Sequence, residues 1–555
     1  MAKEKLEGII RNAINKAIRE GRIPSLDVGR IELERPKRKE HGDWATNIAL
    51  VLAPGLGIIP HEFALTLVGL MEARHDVVSK VEVAGPGFIN FHLAPEFIKG
   101  ILFEISQKGP RFGSSGVGGG KRVQIEFVSA NPVGPLHVGH GRWAALGDCL
   151  ANVMEHAGYS VEREFYVNDY GTQMLQFGRS ISARYMELQG RVVEWPDGGY
   201  AGEYIKDIAR RISSEHGSKF VDMPDEERSK VFAEIAYPWM LSSIRSTLEK
   251  MRVRFDNWAS ERELHEKGKV VEVIEELERN GQAYRKDGAL WLRTSTYGDE
   301  KDRVLIRSNG EPTYFASDIA YHRDKISRNF DLLINIWGAD HHGYVSRMKA
   351  AFQELGFESE RLEIILGQLV KLYRSGEPVT MSKRTGEIIT LDELLDEVGV
   401  DAARYFFLQR SSDSPLDFDI ELAKRESPEN PVYYVQYAHA RISSILRYAK
   451  DSGVEMVEPS EEDVSLLSTE QEIELIKKLS ELEELVELCA EKRAPHRLTT
   501  YAEELASIFH IFYRDCRVVT DDEALTRARL FLVKCTRQVL QIVLGLLGVT
   551  APERM

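Results

Sequence analysis

The sequence predicts an α/β protein: a doubly wound parallel sheet, with a small α/β segment before it and an all-helical segment after it. Three observations carry this. Val123, Ile125 and Phe127 alternate as in a buried strand, Leu146, Cys149, Leu150, Val153, Met154 and Ala157 then recur at helical spacing, and residues 161–167 read as a second strand. That order is a βαβ unit, which is parallel and right-handed. Apolar runs at 332–337 and 363–370 each end in polar residues, and beyond about Glu429 only 3- and 4-residue apolar spacing remains.

In chain order, residues 1–110 open with an amphipathic helix whose stripe is Leu6, Ile9, Ile10, Ala13, Ile14, Ala17 and Ile18. Strand-like stretches at 81–83 and 88–92 complete a small α/β domain. The Gly/Ser-rich residues 111–120 mark a boundary or flexible linker. The sheet domain spans 121–375, and Gly158 suits the C-cap of its first helix. Charged helices and the hairpin-like Gly288-Ala-Leu-Trp-Leu-Arg make about 180–300 an insertion between two halves of the sheet. Residues 376–430 form a loop and connecting region. Residues 431–555, with helical patterns near 433–446, 473–486, 505–512 and 530–547, form a bundle.

A length of 555 residues suits three or four domains, and 43% apolar with 29% charged residues is an ordinary globular composition. The net charge of −15 excludes a uniformly basic coat for nucleic acid. A local basic face remains open, and Arg514, Arg517, Arg527, Arg529, Lys534 and Arg537 cluster near the end. Cys149, Cys489, Cys516 and Cys535 show neither CxxC pairing nor histidines at zinc spacing, so buried thiols in a reducing compartment and no zinc are expected. The start lacks the marks of a signal or transit sequence. Lys534 and Arg537 make the last apolar stretch a packed helix rather than a membrane span. A cytoplasmic protein with no membrane partner is expected.

Residues 129–140, Ser-Ala-Asn-Pro-Val-Gly-Pro-Leu-His-Val-Gly-His, join the first strand to its helix. His137 and His140 share one face at a helix N-terminus, where unpaired N–H groups and the dipole favour an anion. Gly139 between them lets a phosphate chain approach the backbone. Nucleoside triphosphate binding is the chemistry suggested; the alternative is two histidines on solvent. A second polar loop, residues 380–386, reads Thr-Met-Ser-Lys-Arg-Thr-Gly. Glu126 is an acid in an apolar strand. Buried without a cation it would be costly, so a ligand partner is expected, the alternative being a strand-end carboxylate on water.

HxGH followed far downstream by Met-Ser-Lys resembles the paired motifs of class I aminoacyl-tRNA synthetases. Over nearly its whole length the chain resembles bacterial-type arginyl-tRNA synthetases. The resemblance rests on His41-Gly-Asp-Trp-Ala-Thr-Asn, Gly85-Pro-Gly-Phe-Ile-Asn-Phe, Ser129-Ala-Asn-Pro before HVGH, Tyr166-Val-Asn-Asp-Tyr-Gly, Trp337-Gly-Ala-Asp-His-His-Gly-Tyr, Tyr433-Tyr-Val-Gln-Tyr-Ala-His-Ala-Arg and the ending Ala551-Pro-Glu-Arg-Met. It implies a Rossmann-like catalytic domain at 121–375, a signature loop and stem-contact region at 376–430, a tRNA-core contact by 1–110, an anticodon-binding domain at 431–555 and a monomer. The implied reaction activates L-arginine with ATP and Mg²⁺, releases pyrophosphate and charges the 3′-terminal adenosine of tRNA(Arg).

The same resemblance implies His137, His140 and Lys383 as catalytic residues, with Gly139, Met381 and Ser382 joining them around ATP. It implies Glu126, Ser129, Asn131, His140, Tyr314 and Asp318 around arginine, Asp318 facing the guanidinium and Tyr314 packing beside it. Asn90, Phe91, Tyr437, Arg441, Arg514 and Arg517 become candidate tRNA contacts, and no metal ligand comes from the protein. The chain departs from the class pattern at Thr380 and Arg384, which replace the first lysine and last serine of the usual loop. Some relatives lose the second lysine and carry one shortly before HxGH instead. Here Gly134 stands there and Lys383 is kept, which makes Lys383 the principal phosphate-binding cation. Eukaryotic-type relatives have a glutamine near Asp340-His341-His342, which leaves one amino-acid contact open.

Three other readings are weaker. DHH phosphoesterases need further aspartates that do not precede Asp340 here, and small HxGH nucleotidyltransferases lack the flanking domains. A non-catalytic tRNA-binding paralogue fits poorly with intact His137, His140 and Lys383. Among synthetases, the cysteinyl type needs a zinc site, and a glutamate pocket needs a cation where Asp318 stands.

Overall fold

The computed structural model describes residues 2–36, 38–71, 76–379, 389–455 and 457–555. They fall into two compact units: Met1–Phe112 with Ser444–Glu481 and Ser507–Val539, and Gly113–Ser443 with Leu482–Ala506 and Leu540–Met555.

In the first unit the helix Ala2–Arg19 buries Leu6, Ile9, Ile10, Ala13, Ile14 and Ala17, the stripe that the sequence pattern picks out. A three-stranded antiparallel sheet carries Phe88–Leu93 at its centre, between Trp44–Thr46 and Val78–Ala84. That central place corrects two expected tRNA contacts. Successive side chains of a strand point to opposite faces, and here both faces are covered. Phe91 is fully buried in the hydrophobic cluster, and Asn90 is 2% exposed. Neither side chain can meet a base from solvent in this arrangement.

The second unit is built on five parallel strands: β1 (Arg122–Glu126), β2 (Ser160–Val167), β3 (Asn257–Ser260), β4 (Leu332–Gly338) and β5 (Leu362–Gly367). Their order is β5-β4-β1-β2-β3. The chain starts in the middle, winds outward to β3, then returns to the other side of β1. The winding reverses between β1 and β4, and ligands of such sheets collect at the carboxyl ends of the strands there. Helix α1 (Val138–His156) joins β1 to β2, with Gly158 at φ +87° just past its C-cap. Helix α2 (Glu261–Glu266) follows β3 directly, and α3 (Tyr314–Ser327) precedes β4.

Two expectations change here. The stretch 180–300 is not one insertion, because β3 lies inside it and completes the main sheet. Four residues, Asn-Trp-Ala-Ser, are too short to show an alternation. On one side of β3 lie the helices Thr172–Leu188, Glu203–His216 and Asp225–Lys250, packed around Phe177, Tyr185 and Phe232. On the other lies a separate antiparallel sheet of Ala283–Lys286, Ala289–Leu292 and Arg303–Ile306. The Gly/Ser run is also ordered rather than loose. Gly118 N donates to Ala157 O at 2.8 Å and Gly120 N to Gly158 O at 2.9 Å. A Cβ on Gly118 would stand 2.5 Å from the Gly158 carbonyl carbon, so glycine serves close approach. The helical pattern at 473–486 resolves into two helices, Glu470–Leu479 and Leu482–Lys492.

Candidate active site

The site grows out of the end of β1. Val128 and Ser129 take φ of +69° and +41°, left-handed values that are most strained for a β-branched residue. The turn brings Ser129 Oγ back to donate to Glu126 at 2.8 Å and to accept Tyr166 N at 3.2 Å. The chain then enters α1 with His137 as N-cap. His137 Nδ1 accepts from Gly139 N at 3.2 Å, and His140 Nδ1 accepts from His137 N at 3.1 Å, a reciprocal cap made of two imidazoles. The rings stack with centroids 3.8 Å apart. Since both Nδ1 atoms accept, the neutral rings carry their proton on Nε2, and each is a hydrogen-bond donor at a helix N-terminus.

Met381, Ser382 and Lys383 lie outside the described residues. The chain just after them meets the histidine corner: Leu391 N donates to Leu136 O at 2.8 Å, and Thr390 forms a bridge with His137. Arg142, two residues past His140 and 1% exposed, donates to the carbonyls of Gln368, Ser411 and Ser414. Burial pushes its guanidinium down to about 10.

The other half of the site is acidic. Asp318 on α3 is buried and accepts from the Tyr344 hydroxyl at 2.5 Å. Burial, with Glu261 and Glu126 nearby, pushes its carboxyl well above the usual range. Glu261, the first residue of α2, is 3% exposed and is pushed up to about 7 by burial, which the Ser317 and Tyr166 hydroxyls offset only in part. Its Oε2 and the buried Tyr166 hydroxyl have no partner in hydrogen-bond geometry among the described residues. Half-exposed Tyr314 lies close enough that Asp318 raises its hydroxyl. Neither buried carboxyl has a lysine or arginine in ion-pair contact among the described residues; the His265 imidazole, lowered by burial, stands 3.9 Å from Glu261, so a planar, multiply donating cation would suit the pair.

Glu126 corrects the sequence reading. Its cation is internal: Lys325 Nζ, with no exposed side-chain surface, lies 2.5 Å from Oε2. The argument that burial required a ligand partner therefore falls, although Glu126 remains bonded to Ser129 in the wall of the site. Asn131 donates its amide to Gln173. Asp340, His341 and His342 sit exposed on a 3₁₀ turn after β4, with His341 Nε2 3.6 Å from Asp340. Among the described residues no group of three or more His, Cys, Asp or Glu is placed to hold a metal ion. Tyr437 and Arg441 are half-buried neighbours on one helix, the guanidinium 4.8 Å from the ring centre. Arg514 and Arg517 are exposed, Arg514 pairing with Asp515 at 2.7 Å.

Sequence reasoning missed Glu261, Tyr344 and Lys325. Glu261 is one of three acids in Glu-Arg-Glu-Leu-His-Glu, a pattern that reads as a solvated helix face. Only burial sets it apart.

Comparison with known proteins agrees with this geometry. Residues 4–93 match the family model for the arginyl tRNA synthetase N terminal domain, 113–417 the class I (R) tRNA synthetase catalytic domain, and 435–555 the DALR anticodon binding domain. An arginine–tRNA ligase of Carboxydothermus hydrogenoformans is 51% identical over 553 residues, covering 100% of this chain and 99% of that protein. One of Syntrophotalea carbinolica is 50% identical with 100% of both chains covered. The solved arginyl-tRNA synthetase of Thermus thermophilus superposes with a TM-score of 0.79 at 25% identity, over 100% of both chains. That of Plasmodium falciparum, 17% identical, shares the fold with a TM-score of 0.73 over 100% of this chain and 99% of its own.

Proposed function

The chain belongs to the arginyl-tRNA synthetase family, and on that premise we propose how its residues divide the work of an arginine–tRNA ligase. The reaction joins the carboxylate of L-arginine to the α-phosphate of ATP and expels pyrophosphate. A ribose hydroxyl of the 3′-terminal adenosine of tRNA(Arg) then takes the arginyl group, and AMP leaves. No covalent enzyme intermediate is required. The enzyme's task is to align the carboxylate with the α-phosphorus and to stabilise charge on the phosphoryl oxygens.

His137 and His140 donate from Nε2 to those oxygens, with Gly139 giving room for the triphosphate. Lys383, assigned by its motif together with Met381 and Ser382, neutralises the β- and γ-phosphates. Mg²⁺ enters with ATP as part of that substrate. Zinc is no part of this proposal, since the four cysteines show neither CxxC pairing nor histidines at zinc spacing. Asp318 and Glu261 receive the guanidinium with Tyr314 beside it, while Ser129, Asn131 and His140 face the amino-acid end. Residues 121–375, with the loop at the start of 376–430, carry this chemistry, 1–110 contact the tRNA core and 431–555, with Tyr437, Arg441, Arg514 and Arg517, the rest of the tRNA. A monomer in the cytoplasm without a membrane partner completes the reading. The long apolar helix Glu523–Leu547 has most of its apolar window buried inside the protein, which supports a packing role.

The observation that carries the arginine pocket is the pair of buried, raised carboxyls, Asp318 and Glu261, beside the strand that opens into HxGH. ATP–pyrophosphate exchange with each of the twenty amino acids, with and without tRNA, tests it. Arginine alone should support exchange; a comparable rate with another amino acid would overturn the assignment.

A further inference from the structure

The sheet register lines up four polar side chains: Asn335 of β4 beside Glu126 of β1, Glu126 beside Glu164 of β2, and Glu164 beside Asn257 of β3. Asn335, Glu126 and Glu164 are buried. Helix α3 covers the row with Lys325 in its last turn and Arg328 at its C-cap, three residues apart. Arg328 takes Glu164 at 2.6 Å, and the Tyr321 hydroxyl (2.5 Å) and Asn257 amide complete that carboxylate's shell. Lys325 takes Glu126 at 2.5 Å and Asn335 Oδ1 at 3.0 Å.

The two ion pairs differ in what they lead to. The partners of Glu164 stay within the row and its covering helix. The Glu126 pair continues into the site at both ends. On one side Glu126 Oε1 accepts from Ser129 Oγ at 2.8 Å. On the other, Asn335 Nδ2 donates to His322 Nε2 at 2.9 Å, and His322 Nδ1 donates to the Asp318 carbonyl at 2.8 Å. Burial pushes His322 down to about 3, so it stays neutral in the tautomer this chain of bonds requires. One continuous series of hydrogen bonds thus runs from Ser129 to the Asp318 backbone, with the Lys325 ammonium at its centre.

We propose that Lys325 is a positioning residue for arginine: it holds the Glu126 side chain oriented, and so sets the spacing between the Ser129 side of the pocket and the Asp318 side. The proposal rests on the arginine subsite assigned above. Without the ammonium, Glu126 loses the partner that fixes its orientation, and Ser129 Oγ loses the fixed acceptor it donates to. The pairing also cancels one of the three buried carboxylates, leaving Asp318 and Glu261 to meet the guanidinium.

A double-mutant cycle tests this, reading arginine KM, ATP KM and melting temperature for Lys325→Met, Glu126→Gln and the double variant. Removing one member of a buried pair strands the other, so Lys325→Met should melt lower, while the double variant should recover much of that loss. Arginine KM should rise at least tenfold in both single variants and by the same factor in the double, with ATP KM within twofold of wild type. Equal, non-multiplying effects mean that Lys325 acts through Glu126. The Glu164→Gln/Arg328→Met variant should keep the wild-type arginine KM. A wild-type arginine KM in Lys325→Met, multiplying effects, or an equal rise in the Arg328 control would each overturn the proposal. If Lys325→Met does not fold, agreement of the double variant with Glu126→Gln decides: an arginine KM equal to that of Glu126→Gln and above wild type supports it, and any other value refutes it. Asp318→Asn separates the layers: if it too leaves arginine KM unchanged, the pocket assignment fails rather than the role of Lys325.

Discussion

In the proposed arginine subsite, Asp318 and Glu261 each answer a different question. Asp318→Asn removes the charge and keeps most of the shape. A charge-assisted hydrogen bond is worth roughly 1.5–3 kcal/mol, so kcat/KM for arginine should fall about 10- to 150-fold at about 1.4 kcal/mol per decade, with ATP KM unchanged. Steady-state charging kinetics decide it, and a defect confined to ATP would remove Asp318 from the pocket. Glu261 is raised from 4.5 to about 7, so near neutral pH it is partly protonated in the free protein. A guanidinium prefers the carboxylate, so kcat/KM for arginine should rise with pH through about 7 and then level. Glu261→Gln should abolish that inflection. The stability linkage has the opposite sign. A carboxyl with a raised folded pKa adds stability that is fully present below about 4.5 and is lost as pH rises through about 7. Gln stands in for the neutral acid, so melting curves of wild type and Glu261→Gln should agree at low pH and separate as the pH rises through about 7, with wild type the less stable.

At the scale of elements, α1 is tightly constrained by its neighbours. A Cβ on Gly147 would lie 2.2 Å from Phe127 Cγ, so the helix rests directly on the residue that precedes the strained Val128–Ser129 turn. Gly147→Ala gains about 1 kcal/mol in helix propensity. Overpacking of this kind costs about 1–3 kcal/mol, and an overlap this deep places the cost at the upper end. The variant should melt below wild type and lose activation rate, because the turn that carries Ser129 must shift. A higher melting temperature with full activity would show that the contact yields easily. The start of this helix was readable in the sequence, since HxGH sits where strand alternation gives way to helical spacing. The imidazole cap was not, because it depends on ring orientation.

For the molecule as a whole, chain order and packing order differ. Residues 540–555 pack with the sheet-bearing unit, far from it in sequence. Arg404, fully buried, donates to Leu547 O at 3.0 Å. Gln436 donates to Thr550 O at 2.9 Å, and His439 Nδ1 to Pro552 O at 2.8 Å. Ending the chain at Gly548 removes the last two acceptors; Gln436 keeps Asp401 at 2.7 Å, and the loss at His439 costs roughly 1–3 kcal/mol. The truncated protein should melt several degrees lower while its first unit is unaffected, which hydrogen exchange resolved along the chain would show. Uniform protection would place the tail outside the cooperative unit.

The sequence by itself determined the α/β class, the βαβ start of the sheet, the helical ending and the helix start at HxGH. These follow from periodicity, capping and turn chemistry, which act over a few neighbouring residues. Tertiary structure alone decided that Phe91 is core, that the short β3 completes the sheet within an apparent insertion, that Glu126 finds its cation 199 residues away in Lys325, and that Glu261 is buried while neighbouring acids are solvated. Burial and ion pairing at such separations depend on which surfaces meet when the chain closes on itself. No local pattern encodes that, and for a charged side chain it is what separates a solvated surface group from a residue of the site.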